Sequence, residues 1–412
     1  LTPAAYPTMV ETSPRPTLDS SFSGGERVQA AQRALDDGDY DAAAGLWRAA
    51  IDQGGLFERP ALELGLAQEH LGAGDHVAAI ALLAQVVTNS ARLEEQAQAL
   101  GLLAGAYEKL GEWQAAIDTF GRYLALDDAA EPYVHWHMAA AYEHLGEEAQ
   151  AVAQLEGLDL RDLPPSVQAE MLEKMSELHE RLGKCDRALE DYEEILAISR
   201  YPNYRALILQ KGGATLRAAG EQEQAIARFQ QVLEEYPESH AAYLALLALD
   251  DLQAADLDDL QRGLILYQAK QYQASLRALR RHASVASPVD TARVYYYIGR
   301  DHEKLGQYPQ AFEAYDVIIR GHPKHELAGD AWMAKARAEA AYDGDPSGLY
   351  HEFWRLYPDH SRAPEALWRA GNALQAESSW EQASEFYHTL WGRYPDSEYA
   401  PDRRAFENAL RA

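Results

Sequence analysis

The feature that most constrains the fold of this chain is a short motif that returns about every 36 residues. The motif is Gly-x-aromatic-x-x-Ala, and its copies occupy 38–43, 111–116, 183–188 and 306–311, with Cys185 in the aromatic place of the third copy. A period of this length predicts a solenoid of stacked helix pairs, because so short a unit buries its apolar face only against its neighbours. In such a fold, chain length counts repeats rather than separate cores.

The spacing within each copy indicates two packed helices. Residues three, four, seven and eight apart share one face of an α-helix, so the apolar residues of a copy all face the partner helix. Small residues such as Gly299 and Gly371 allow the two helices to approach closely. Pro323 and Pro395 then end the second helix, because proline lacks an amide donor and clashes with the preceding turn.

These copies resemble the tetratricopeptide repeat, and the resemblance covers nearly everything from residue 26 onward. It implies an all-α fold, a TPR-type α-solenoid that winds as a right-handed superhelix of about ten helix-turn-helix repeats. It also implies a protein that works by holding a partner. The best copy has Tyr295, Ile298, Gly299, His302, Leu305, Gly306, Tyr308, Ala311, Tyr315, Ile318 and Pro323 in register, with His302 in place of the family's usual aromatic residue.

The repeats predict the domain organisation. Their turns are centred near residues 38, 74, 111, 146, 183, 220, 270, 306, 343 and 378, and the interval from 220 to 270 is longer than the others by about 14 residues. We expect one extra helix there, which would shift the phase of the stacking. The predicted regions are a flexible Pro/Ser/Thr-rich segment at 1–25, an amino-terminal array at 26–240, the extra helix at 241–256, a carboxy-terminal array at 257–400 and a capping helix at 401–412.

The composition limits which classes of partner are expected. Lys and Arg number 37 and Asp and Glu number 65, for a net charge of −28. Such a charge repels phosphate backbones and anionic lipid headgroups, so nucleic acid is excluded as an expected partner and a basic protein or peptide is favoured. No apolar run is long enough for a transmembrane segment. The single cysteine, Cys185, leaves no intrachain disulfide and no cysteine-based zinc site.

No catalytic, cofactor-binding or metal-binding residue is predicted. Glu377 and Ser378 match by letter the Glu-Ser pair of lytic transglycosylases, but Ser378 occupies the place of a turn glycine and too few residues follow for a catalytic domain. The close histidine pairs at 135/137 and 322/325 are expected to be ordinary surface or packed residues. Helical positions two apart, as in the first pair, point to different sides, and the second pair lies at a predicted helix end, where polar residues are common. The chain is therefore expected not to be an enzyme and to need no cofactor.

Two groups of residues are candidates for binding a partner. Aromatic residues that lie off the packing stripe are suited to stack on a peptide or glycan. Basic residues gather on the second helix of the seventh repeat, where they also suit a helix carboxyl end that needs no ligand. The candidate partner-binding residues are Trp136, Tyr204, Tyr296, Tyr297, Arg277, Arg280 and Arg281.

Three helix ends share one phrase, at 236–239, 357–361 and 394–397, in which Pro follows Tyr and precedes Asp or Glu. The wording resembles tetratricopeptide proteins of bacterial cell envelopes and the non-catalytic superhelix of soluble lytic transglycosylases. The resemblance implies a scaffold of the cell envelope or exterior. The net charge predicts that its concave groove is acidic, and a start at Leu1 followed by the Pro/Ser/Thr-rich segment predicts a processed amino terminus and an extracytoplasmic location. Two alternatives stay open: the substrate-guiding part of a peptidoglycan-processing enzyme, and a subunit that self-assembles head to tail into a filament.

Overall fold

A computed structural model of the protein describes residues 25–53, 59–254, 257–285, 287–342 and 344–400. Within those ranges every regular element is an α-helix, and none of these helices combines the length and apolar composition needed to cross a bilayer. The all-α solenoid expected from the repeats is confirmed. By its internal contacts the chain divides into two compact units, Leu1–Arg200 and Tyr201–Ala412.

The first unit consists of five helix pairs. Each second helix packs against its own first helix, and those of the first four pairs also pack against the first helix of the next pair. Its helices are α1 (Gly25–Asp36), α2 (Tyr40–Gln53), α3 (Arg59–Gly72), α4 (His76–Asn89), α5 (Leu93–Leu110), α6 (Trp113–Leu124), α7 (Glu131–His144), α8 (Glu148–Leu155), α9 (Pro165–Arg181) and α10 (Cys185–Ile198).

The second unit has five pairs and one additional helix, α13, which packs on both helices of the pair before it. Its helices are α11 (Pro202–Ala218), α12 (Gln222–Glu235), α13 (His240–Asp251), α14 (Asp259–Gln268), α15 (Tyr272–Ala283), α16 (Pro288–Lys304), α17 (Tyr308–Gly321), α18 (Leu327–Tyr342), α19 (Ser347–Leu356), α20 (Ala363–Ala376) and α21 (Trp380–Arg393).

Helix α13 lies where the lengthened interval predicts an extra helix. The division of the chain by contacts falls elsewhere, after Arg200, and the assignment of two arrays on either side of 241–256 stays a prediction. The predicted capping helix at 401–412 and nearly all of the predicted segment at 1–25 lie outside the described residues.

Nine of the ten predicted turn centres adopt the left-handed backbone conformation that ends a first helix; the tenth, at 343, lies outside the described residues. Glycine enters this conformation without a steric penalty, whereas Lys270 and Ser378 adopt it with φ of 61° and 63°. Ser378 is thus a turn residue between α20 and α21, as its register predicts.

The two helices of a pair approach closely because a glycine on the first faces a large side chain on the second. A Cβ atom built on Gly299 would lie 2.5 Å from Tyr315, and one built on Gly371 would lie 2.7 Å from Tyr387. Tyr315 is fully buried, at 0% exposure, in the core between α16, α17 and α18. The structure therefore confirms the prediction that the two helices of a pair approach closely at small residues.

The shared Tyr-Pro phrase has a structural role. Tyr236, Tyr357 and Tyr394 cap the carboxyl ends of α12, α19 and α21. The hydroxyl of Tyr357 donates a 3.0 Å hydrogen bond to the carbonyl of Pro323, 34 residues earlier, and Tyr394 bonds the carbonyl of Pro358 in the same way. The phrase therefore ends a helix in all three copies, and at Tyr357 and Tyr394 it also links successive pairs; the Tyr236 hydroxyl instead accepts a hydrogen bond from Arg205 of its own pair.

Candidate protein-interaction site

The first helices of the second unit form its more closely spaced layer. Helix α14 contacts α16, and α16 contacts α18, although each belongs to a different pair. The second helices α15, α17 and α19 make no comparable contact with one another in the described part of the chain. Because the more tightly spaced layer of a curved stack is its inner side, α14, α16 and α18 lie on the inside, and we call them the inner layer.

Aromatic rings meet across this inner layer. The ring of Tyr267 on α14 lies 5.1 Å from that of Tyr297 on α16, nearly edge-on at 73°, and Tyr297 lies 5.7 Å from Tyr296 at 88°. All three side chains are half-buried. Edge-to-face pairs at these distances are favourable because the positive ring edge meets the negative face, so the three rings form an ordered and partly open surface.

Arg300 lies between two of these rings. Its guanidinium carbon is 5.9 Å from the ring centres of both Tyr267 and Tyr296, and Nη1 donates a 3.3 Å hydrogen bond to the Tyr296 hydroxyl. The positive charge is thus held over electron-rich ring faces, a favourable cation–π arrangement. Glu303 offers the nearest carboxylate oxygen to Arg300, at 3.8 Å from Nε.

Glu303 forms its hydrogen bonds with residues other than Arg300. It accepts hydrogen bonds from Arg337 on α18, at 2.9 Å from Nε and 3.1 Å from Nη2, and from the Tyr315 hydroxyl at 2.8 Å. A carboxylate held by a two-point guanidinium contact and a phenol has little capacity left for Arg300. We call these residues the Tyr–Arg cluster: Tyr267, Tyr296, Tyr297, Arg300, Glu303 and Arg337.

Burial and hydrogen bonding set the protonation of the cluster. Burial raises the pKa of Tyr267, and burial with the nearby Glu303 raises that of Tyr315 far above its ordinary value, so both phenols stay neutral. Burial lowers the pKa of Arg300 and of Arg337, but their bonds to Tyr296 and to Glu303, together with the electrostatic attraction of neighbouring oxygens, outweigh it and leave both pKa values raised. The cluster therefore holds two guanidinium charges against one carboxylate.

The first helices of the second unit are not acidic overall. Helices α14, α16, α18 and α20 carry seven Lys or Arg and seven Asp or Glu. In the first unit, α3, α5, α7 and α9 carry four Lys or Arg and eleven Asp or Glu. An acidic lining, expected from the net charge, thus fits the first helices of one unit and not those of the other.

The aromatic residues that were predicted to bind a partner differ in their exposure and surroundings. Tyr296 and Tyr297 belong to the Tyr–Arg cluster, and Tyr204 is half-buried on α11. Trp136 corrects the prediction: it is only 4% exposed and lies in a core cluster with Met171 and Leu178 of α9. Its position off the packing stripe of its own pair does not expose it, because the following pair covers that side of α7.

The predicted basic candidates do not form one patch. Arg277, Arg280 and Arg281 all lie on the second helix α15, as expected, but they diverge. Arg281 forms an ion pair with Asp259 on α14. Arg280 instead donates a 3.1 Å hydrogen bond to Nε2 of His302 on α16.

Several cluster members were not predicted. Tyr267, Arg300, Glu303 and Arg337 come from three helices that lie far apart in the sequence. One signal was available: Arg300 and Arg337 each directly follow the small packing residue of their helix, Gly299 and Ala336. Equal register in adjacent repeats places both arginines on the same side of the stack.

The described residues hold no group of three or more His, Cys, Asp or Glu side chains placed to bind a metal ion. The rings of His135, His137 and His325 form hydrogen-bond contacts with protein atoms. For example, Nδ1 of His135 lies 3.0 Å from Gln154 Oε1, and Nδ1 of His137 lies 3.1 Å from Glu108 Oε1.

Comparison with known proteins identifies similar solved structures. The chain is 18% identical to MamA, covering 48% of this chain and 97% of that one with a TM-score of 0.36. It is 18% identical to YrrB, described as a TPR protein with an unusual peptide-binding site, covering 50% of this chain and 100% of that one with a TM-score of 0.38. A tetratricopeptide repeat protein from Parabacteroides merdae is 14% identical, covering 64% and 93%, with a TM-score of 0.38.

A curated relative is the TPR repeat-containing protein YvcD of Bacillus subtilis (strain 168), 24% identical over 298 residues. The match covers 69% of this chain, and the chain spans 56% of the length of that relative. Family models described as tetratricopeptide repeat match residues 28–91, 64–133, 167–238, 260–326 and 365–397. These repeats extend through both units, and the chain belongs to the tetratricopeptide repeat family.

Proposed function

We propose that this chain is a non-enzymatic scaffold that binds an extended segment of a partner protein along the inner layer of its second unit. Tetratricopeptide repeats are protein-interaction modules, which supports the general role. The observation that carries the specific proposal is Arg300, held between the rings of Tyr267 and Tyr296 with no carboxylate oxygen in the described structure closer than 3.8 Å.

The charge of the Tyr–Arg cluster favours a partner with acidic side chains. Two guanidinium groups face one carboxylate, and that carboxylate already serves Arg337 and Tyr315. A partner carboxylate at Arg300 would complete a charge-assisted hydrogen bond, while its neighbouring residues would pack on the tyrosine rings. This replaces the basic partner expected from the net charge of the whole chain, because a binding site responds to its local charge rather than to the total.

The rigidity of the layer supports binding of an extended segment. Helix packing and the Glu303 hydrogen bonds hold the cluster side chains in place before a partner arrives. The entropy lost on binding is then mostly that of the partner segment, which keeps the association favourable even for a small contact area.

The test is to select peptides that bind the full chain from a displayed peptide library. The affinity of the selected peptides, once purified, is then measured by fluorescence anisotropy. We expect enrichment of acidic over basic sequences, and about tenfold weaker binding in Arg300→Gln and in Tyr296→Ala. Arg293→Gln is the matched control, since Arg293 is an exposed arginine on the same helix outside the cluster. Preferential binding of basic peptides, or equal loss in the control, would contradict the proposal.

We also propose that the scaffold works outside the cytoplasm. The support is the resemblance of its Tyr-Pro phrases to those of envelope tetratricopeptide proteins. Fractionation of the source cells with an antibody against the chain tests this: we expect recovery with envelope or secreted proteins, and recovery with a cytoplasmic marker enzyme would refute it. Sedimentation with purified peptidoglycan in the same experiment tests the glycan-guiding alternative.

A further inference from the structure

An open cleft lies between helices α15, α16 and α17, and it is lined by other residues than those of the Tyr–Arg cluster. Its volume is about 480 Å³, within the range of small-molecule sites, and it is open to solvent on one side. Its floor includes Tyr295, Ile298 and His302 of α16, and its walls include Arg280 of α15 and Glu313 and Val317 of α17. We call it the outer cleft. It shares no residue with the Tyr–Arg cluster, which occupies a different stripe of α16.

Arg280 is positioned in the outer cleft by a buried neutral acceptor. The guanidinium donates to Nε2 of His302 at 3.1 Å, and Nδ1 of His302 lies 2.7 Å from Gln307 Oε1. Because a guanidinium only donates, Nε2 must be the unprotonated nitrogen and Nδ1 must donate to the amide oxygen. Burial and the charge of Arg280 both lower the pKa of His302, which agrees with a neutral ring.

Arg280 is an exposed residue whose hydrogen-bond partner is neutral, so it has no ion pair within the described part of the chain. No carboxylate in the described part of the chain lies within 4.0 Å of Arg280, whereas its neighbour Arg281 is paired with Asp259. The His302 contact uses one of the five N–H groups of the guanidinium, so others remain to bind an anion in the cleft. A planar guanidinium with free donors suits a carboxylate, which it can bind at two points.

The cleft also contains a negative group and apolar surface. Glu313 lines the wall opposite Arg280 without forming an ion pair with it, and Tyr295, Ile298 and Val317 supply apolar contact between the two charges. A ligand that satisfies both charges carries a carboxylate and an ammonium group close together. We propose that the outer cleft binds a free α-amino acid, with its carboxylate on Arg280, its ammonium group towards Glu313 and its side chain on the apolar wall.

The test is isothermal titration of the full chain with each of the twenty amino acids, with acetate and with the corresponding amino-acid amides. We expect at least one amino acid to bind with a Kd below about 1 mM. Arg280→Gln and Glu313→Gln are each expected to weaken it about tenfold, and Arg277→Gln, an exposed arginine one turn earlier on α15, is expected to leave it unchanged.

Two results would overturn the proposal. One is the absence of binding by all twenty amino acids to a chain whose helical circular dichroism is intact. The other is equal binding of acetate and of the amino acid, which would show an anion site without recognition of the ammonium group. Arg300→Gln should bind the amino acid normally, so failure here and failure of the peptide-binding proposal are separate outcomes.

Discussion

The hydroxyl of Tyr315 donates a 2.8 Å hydrogen bond to Glu303, which precedes it by twelve residues on the facing helix. Tyr192 bonds Glu180 in the first unit, and Tyr387 bonds Gln375 in the last pair, at the same separation of twelve. The same contact thus recurs wherever a repeat has tyrosine at this position and an acceptor twelve residues earlier. The bond links a buried tyrosine, such as Tyr315, to a partly exposed side chain of the facing helix, such as Glu303.

Tyr315→Phe is expected to lower the free energy of unfolding by about 1–2 kcal/mol, because it removes a hydrogen bond to a charged group while keeping the ring. Chemical denaturation measures the change. Tyr342→Phe is the control, since Tyr342 is half exposed at the end of α18. An equal loss in both variants would show that the Glu303 contact adds no stability.

Gly371→Leu is expected to cost about 1–3 kcal/mol, because a Cβ at this position lies 2.7 Å from the Tyr387 ring and the two helices must separate. Thermal melting of the variant checks this. Gly392→Ala on α21 has no heavy atom within 4 Å of the added carbon and should be neutral or slightly stabilising. An unchanged melting temperature in Gly371→Leu would mean that the register of the last pair is wrong.

Lys270→Gly is expected to stabilise the chain by up to about 1 kcal/mol, because lysine is strained at a φ of 61° and glycine is not. The reciprocal change, Gly306→Lys at a φ of 69°, should destabilise by a similar amount, since its Cβ would meet no neighbour and only the backbone is affected. Both are measured by thermal melting. Changes of the same sign in the two variants would rule out backbone strain as the cause.

Asp301 is fully buried, and burial raises its pKa from 3.8 to about 7, with Ser275 opposing the shift only in part. Between those two values the folded state binds a proton that the unfolded chain has released. This contribution to stability is therefore present at low pH and is lost as pH rises through about 7.

Asp301→Asn removes that titration. We expect a higher melting temperature than the parent chain at pH 8, because no charge is buried, with the gain shrinking as pH falls towards 5. Glu385→Gln, at an exposed site on α21, controls for loss of a surface carboxylate. A gain independent of pH would show that Asp301 has the same charge in the folded and the unfolded chain over this range, so that burial does not raise its pKa.

His179 is buried in the first unit between two carboxylates, with Nδ1 2.8 Å from Asp191 and Nε2 3.2 Å from Glu156. Burial raises the pKa of Asp191 to about 6. His179→Leu should cost about 3 kcal/mol, because it leaves the Asp191 carboxyl buried without its partner. The double variant His179→Leu/Asp191→Leu should recover part of that loss in a denaturation cycle; strictly additive losses would show that the two side chains are not coupled.

The repeat pattern was sufficient to predict the local structure. The left-handed turns at Gly38 and Gly306, the substitutes Lys270 and Ser378, and the close contact at Gly371 all follow from one period and one spacing, because they depend on residues within a single helix pair. The extra helix α13 could likewise be predicted, because it occupies the additional residues of the one interval, from 220 to 270, that is longer than the repeat period.

The sites depend on side chains that only stacking brings together. Arg300 and Arg337 belong to different pairs, and nothing in either pair alone reveals that Glu303 lies between Arg337 and Tyr315. The total charge of −28 likewise gave no sign that the inner layer of the second unit is balanced. For this reason the composition predicts a basic partner, whereas the charge of the Tyr–Arg cluster supports our proposal of an acidic one.

The sequence by itself determined that this protein is a stack of helix pairs and where each pair turns, because helix periodicity, small-residue contacts and turn conformation are local properties. Only the tertiary structure decided that Trp136 is covered by the next pair while Arg280 faces an open cleft. Burial and pairing between repeats depend on how neighbouring pairs pack, and identical positions in the repeat therefore acquire different surroundings and different chemistry.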